Sequence, residues 1–199
     1  MTGSRLWRYE ARRVGVPALL VSPVFAVVLL LLRLGLLPEG YVGGWLVQAV
    51  PALVAGMAAT AAAVERSAEL QLTMPTPFRT TISRRLVLVG ATAVLSSLAL
   101  IAWLTAAGVV RAPVTEYLLV CSFATMLAAV GCWSTLALRS VAGASAVVLA
   151  AWLGTLLVLD RVVTPPLARS IVLLVLAAVL FTNVLRLSAD GEDLIGAGE

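Results

Sequence analysis

The sequence predicts an all-α, polytopic membrane protein: six transmembrane helices preceded by an amphipathic interfacial helix. Three observations carry that reading. Of 199 residues, 61% are apolar and 12% charged, with a mean hydropathy of +1.06, whereas a soluble domain is about half apolar and about a quarter charged. The apolar residues gather into six stretches, and about 20 of them suffice for one spanning helix. Polar and proline-bearing punctuation separates the stretches. No room is left for a soluble catalytic domain.

Residues 1–13 place Arg5, Arg8 and Arg12 on one narrow helical face at 100° per residue, and Trp7, Ala11 and Val14 on the opposite one. That pattern predicts a short helix in the membrane interface, anchored by Arg5, Trp7, Arg8 and Arg12. The apolar run that follows, to Leu36, is too long for the core of a signal peptide.

The six stretches lie at 14–36, 42–64, 86–110, 114–138, 141–159 and 167–187. Together they form one transmembrane domain over 14–187, with a tail at 188–199. Pro38, Glu39 and Gly40 mark the first turn, Arg111 and Pro113 the third, Arg139 and Ser140 the fourth, and Asp160 through Arg169, with Pro165 and Pro166, the fifth. The second connection, Glu65 to Arg85, is the long one.

All 14 basic residues are arginine, and there is no histidine. With alternate sides assigned, Arg5, Arg8, Arg12, Arg13, Arg66, Arg79, Arg84, Arg85, Arg139 and Arg186 fall on one side. Arg33, Arg111, Arg161 and Arg169 fall on the other. The excess places both termini in the cytoplasm of a multi-pass protein of the cell membrane.

Without lysine the chain has neither a Walker phosphate loop nor a Ser-Lys dyad, and without histidine neither a zinc-protease helix nor a Ser-His triad. No catalytic residue, cofactor site or metal site is therefore predicted, and no nucleic-acid partner. Cys121 and Cys132, eleven residues apart on one predicted helix, lie some three turns apart along its axis and cannot bridge. They read as small core thiols.

An ion-driven transporter normally carries ionisable groups at membrane depth, and none lies near the centre of any stretch. Arg33 and Glu116 sit near stretch ends, as interfacial residues do. The hydroxyls within the stretches, including Ser96, Ser97, Thr105, Ser122, Thr125, Ser134 and Thr135, are expected mostly to bond their own helix or a neighbouring one. Gln48 lies near Pro51, whose ring frees a carbonyl one turn earlier. With Ser97, Trp103, Thr105, Thr125 and Trp133 it makes a candidate translocation path for an amphipathic or lipophilic cargo. Packing accounts for the same residues. Energy for transport would then come from a partner rather than an ion gradient.

The segment at 65–79 has internal design. Glu65 and Glu69 share a helical face, and Leu70 and Met74 form an apolar pair four apart. Pro75 disfavours helix at Met74. Thr76 suits an N-cap and Pro77 the first position of a new helix, which Arg79, Arg84 and Arg85 would return to the headgroups. Such a helix–break–re-entry is suited to docking in a groove of a soluble partner.

The run Glu65-Arg66, then Glu69-Leu70-Gln71-Leu72, then Pro75-Thr76-Pro77-Phe78-Arg79 resembles the coupling segment between the second and third spans of exporter-type ATP-binding-cassette permeases. The six-span plan with an amphipathic first helix is similar to that family over nearly the whole chain. Ser67 and Ala68 occupy a shorter interval than the family's Gly-Thr step, and the connection between the fifth and sixth stretches is short.

The resemblance implies a permease half that is not itself an enzyme. It implies pairing with a second, identical or related half, two copies of a separate ATPase subunit, and surrounding membrane lipid. Glu65, Arg66, Glu69, Leu70, Met74, Pro75, Pro77 and Arg79 would form the ATPase-coupling site. A second reading is a scaffold or assembly subunit that transports nothing; Gly43, Gly44, Gly56, Gly90, Gly108, Gly131, Gly143 and Gly154 let helices approach closely in either case. A lipid-modifying enzyme is disfavoured, because the spans supply no clustered carboxylates, histidine or metal site.

Overall fold

The computed structural model describes residues 78–108, 110 and 112–196, together with Leu20, Pro23, Val24, Val27, Val28, Gly56 and Ala59. Among them all regular structure is helical. Helix α1 runs Phe78–Ala106, α2 Pro113–Leu138 and α3 Val141–Gly154, continued by a π-helical stretch Thr155–Leu159 and the short α4 Asp160–Val162; α5 runs Pro166–Gly196. Four runs are long and apolar enough to cross a membrane: Ser83–Ala106, Pro113–Leu138, Val141–Leu159 and Pro166–Leu187. They coincide with the last four predicted stretches and make this a membrane-embedded helical protein. The predicted interfacial helix and the first two stretches fall outside the described residues, apart from the isolated helical positions named above.

Local chemistry sets the boundaries. The predicted Thr76-Pro77 start signal lies outside the described residues, and α1 is described from Phe78. It ends before the predicted 110, because Gly108 turns the backbone to φ +73°, a conformation that glycine takes without a Cβ penalty. The amide of Ala107 donates to the Trp103 carbonyl at 2.9 Å and that of Gly108 to Thr105 at 3.0 Å, which closes the end. Pro113 opens α2, where a missing N–H costs nothing.

Arg139 and Ser140 alone separate α2 from α3. Arg139 is left-handed at φ 51°, and its amide donates to the Thr135 carbonyl at 2.9 Å. The Ser140 side chain then caps α3 by accepting from the Gly143 amide at 3.3 Å.

The fifth connection is shorter than the predicted Asp160–Arg169. Helix persists through Val162 and resumes at Pro166, leaving only residues 163–165. The Arg169 guanidinium reaches back to brace them, donating from Nε at 3.3 Å and Nη2 at 3.1 Å to the Val163 carbonyl. At the far end α5 runs past the predicted limit of 187 to Gly196. Residues 188–196 contain no proline, and an isolated glycine such as Gly191 costs a helix only about 1 kcal/mol.

α2 is the hub. It packs against α1, α3 and most extensively α5, and its main core joins Leu127, Ala129 and Met126 to Ala93 of α1, Val148 of α3, and Leu173 and Ala177 of α5. Gly56, from the predicted second stretch, is buried against the same hub. A Cβ there would lie 2.7 Å from Val148 Cγ1 and 3.2 Å from the Leu127 carbonyl oxygen. Outward faces carry Leu149, Leu153, Leu157, Ile171, Val175 and Val179, all exposed, as helices in hydrocarbon do. Arg85 departs from the headgroup expectation: it is 5% exposed and is engaged rather than free. Its charge is housed within the protein, which requires a partner.

Candidate functional site

The described residues form a recess between α1, α2 and α5. Val89, Gly90, Ala93, Val94 and Ser97 of α1 form one wall, Cys121, Ala124, Thr125 and Ala128 of α2 a second, and Phe181 of α5 a third. Its volume is about 70 Å³. The recess follows from residue size. On α1, Gly90, Ala93 and Ser97 recur at three and four residues, and on α2 Cys121, Ala124, Thr125 and Ala128 do the same, so small side chains line one face of each helix. At Gly90 nothing lies within 4 Å of where a Cβ would stand.

The buried hydroxyls of the described spans follow the expected rule with one exception. Ser96 donates to the Thr92 carbonyl at 2.6 Å, Thr105 to Ile101 at 2.7 Å, Thr125 to Cys121 at 2.7 Å, Ser122 to Leu119 at 2.9 Å, and Ser134 and Thr135 both to Gly131 at 3.1 and 2.7 Å. Each thereby satisfies its proton within its own helix. Ser97 does not. It is 1% exposed, and its Oγ has no hydrogen-bond partner among the described residues. Trp152 Nε1, on α3, is the other buried side-chain atom in that condition.

No family model, curated protein or solved structure matches this chain. The site therefore stands on its own residues.

Of the predicted path residues, Ser97 and Thr125 come together in the recess, each near the middle of its span. The others do not join them. Trp103 packs with Leu100, Ile101, Leu104 and Val120 toward the end of α1. Thr105, one residue from that end, is bonded to its own helix. Trp133 packs with Cys132 and Val184. Gln48 lies outside the described residues, as do Glu65, Arg66, Glu69, Leu70, Met74, Pro75 and Pro77 of the coupling segment and Arg5, Trp7, Arg8 and Arg12 of the interfacial anchor. Arg79 falls in the first turn of α1.

Cys121 and Cys132 are both free thiols. Cys132 is a fully buried core residue, as expected, but half-buried Cys121 forms part of the recess wall. Of the ten lining residues only Ser97 and Thr125 belong to the predicted path, and Cys121 and Phe181 are among the eight that sequence reasoning missed. The small-residue spacing on each helix was the available signal for Cys121; Phe181 enters only through the packing of α5. Among the described residues no cluster of His, Cys, Asp or Glu could hold a metal ion.

Proposed function

We propose that this chain is the transmembrane permease subunit of an ATP-driven exporter of the ATP-binding-cassette type. One observation carries the reading: the Glu65–Arg79 segment, with its acidic face, its apolar Leu70–Met74 pair and its proline break, leads directly into the long helix α1 that begins at Phe78. A movement imposed on that segment by a soluble partner would be passed to α1, and through α1 to one wall of the recess. In this reading the chain has six spans, an interfacial first helix and both termini in the cytoplasm. It pairs with a second permease half above two ATPase subunits, hydrolyses nothing itself and moves an amphipathic or lipophilic molecule.

The test is co-purification of the ATPase and its turnover in three variants. Glu69→Arg reverses a charge at the docking face, which can cost several kcal/mol when close to a partner charge, and should release the ATPase. Leu70→Asp would bury a charge in the apolar part of the contact and should act in the same direction. Gln71→Ala, on the solvent side, should leave binding and turnover unchanged. Full partner binding and coupled turnover in both Glu69→Arg and Leu70→Asp would reduce the segment to a solvated loop and remove the support for this reading.

A further inference from the structure

We infer that the recess at Ser97 is a binding site for the hydroxyl-bearing end of an uncharged lipophilic molecule. The assignment rests on the recess alone and does not depend on the transport reading. Ser97 Oγ is buried without a partner, although its neighbour Ser96 and the other buried hydroxyls of the described spans bond to their own helices. In hydrocarbon an unsatisfied polar group is costly, and lipid tails offer no partner. Ser97 is among the residues that line the cavity, and rotation about its χ1 to another staggered rotamer would bring the covered Oγ to a partner held there.

The chemistry of the walls narrows the ligand. Every lining residue is uncharged, so a phosphate, carboxylate or ammonium would be desolvated without compensation. Thr125 has committed its proton to the Cys121 carbonyl, and its oxygen can now only accept. Ser97 can donate. A ligand hydroxyl serves both, accepting from Ser97 and donating to Thr125, whereas a ketone or ether can only accept.

Size narrows it further. A dry cavity of about 150 Å³ takes a six-carbon ring, so a recess of about 70 Å³ takes roughly three heavy atoms on the same scale. It accommodates the end of a chain, not a ring system. Because Ser97 and Thr125 lie near the middle of their spans, the rest of the molecule must be compatible with hydrocarbon.

The experiment uses the full chain in lipid nanodiscs with no ATPase present, photolabelled with a diazirine-bearing octanol and mapped by peptide mass spectrometry. Label is expected within Val89–Ser97 and Cys121–Ala128, displaced several-fold more effectively by 1-octanol than by 2-octanone or octane. Ser97→Ala should lower labelling by the octanol probe roughly three- to tenfold, the worth of one hydrogen bond, while labelling by the matching diazirine-bearing octane stays constant and shows the recess intact. Ser97→Thr, which keeps the hydroxyl, should retain the preference for the alcohol.

Label confined to positions other than Val89–Ser97, Cys121–Ala128 and Phe181 would overturn the assignment. So would undiminished octanol labelling in Ser97→Ala, or an equal fall with both probes, which would mean that the serine acts by packing or that only water occupies the recess. Since no ATPase enters this assay, alcohol binding together with failure of the co-purification test would leave the site standing and the permease reading refuted.

Discussion

Helices α2 and α3 are adjacent in sequence, joined by two residues and both apolar, yet 72% of the α2 span is buried within the protein against 11% of the α3 span. Hydropathy ranks them the other way, since α2 is the least hydropathic of the four spans. In water the more apolar helix would have taken the centre. In hydrocarbon that preference vanishes, and what draws helices together is close approach and polar satisfaction. α2 supplies both: Ala124, Ala129 and Gly131 are small enough for neighbours to approach, and Ser122, Ser134 and Thr135 are buried while bonded to their own backbone. α3 turns Leu149, Leu153, Leu157 and Val158 outward, where a lipid chain serves as well as a protein side chain.

Four substitutions would sharpen or break this contrast. The largest effect is expected from Leu127→Ala at the fully buried centre of α2, which should cost about 2–5 kcal/mol through lost contacts and a residual cavity. Leu157→Ala, 62% exposed on the π-helical continuation of α3, should change stability by less than about 0.5 kcal/mol. Unfolding in mixed detergent micelles measures both. Equal losses would mean that the outward face of α3 is covered by protein.

Next comes Gly56→Ala, whose new methyl would meet Val148 Cγ1 at 2.7 Å. Overpacking of this kind costs about 1–3 kcal/mol. Combining it with Val148→Ala should return part of that loss, as a double-mutant cycle can resolve. Strict additivity would show that Gly56 does not wedge between α2 and α3.

One substitution should instead produce a gain. Arg139 holds φ 51° at the joint between the two helices, where a side chain costs about 1 kcal/mol that glycine avoids. Arg139→Gly should therefore raise stability by a similar amount, observed as a higher midpoint in thermal unfolding. A loss would show that the arginine side chain makes a contact worth more than its backbone strain.

The four described spans were legible because helix ends are written in residue chemistry. Pro113 opens α2 and Arg139-Ser140 forms the actual joint, as the punctuation predicted. Three features were not legible. The π-helical stretch at Thr155–Leu159 differs from α-helix by one residue per turn, and no pattern of apolar residues marks it. Arg85 reads as a headgroup arginine by position, and only the tertiary structure buries it. The recess was half legible. Ser97 and Thr125 stand out as polar residues in apolar stretches, but so do Thr105 and Trp103, and sequence alone does not reveal which of them face the same neighbour.

The dominance of the α2–α5 contact also has a consequence for biogenesis. A ribosome delivers α2 first and completes α5 about fifty residues later, which at 5–20 residues per second amounts to roughly 2–10 s. Throughout that interval the face of α2 that α5 will cover lacks its partner. α3, which asks little of its neighbours, can pass into lipid as soon as it emerges. Order of synthesis and order of burial are thus opposed in this chain.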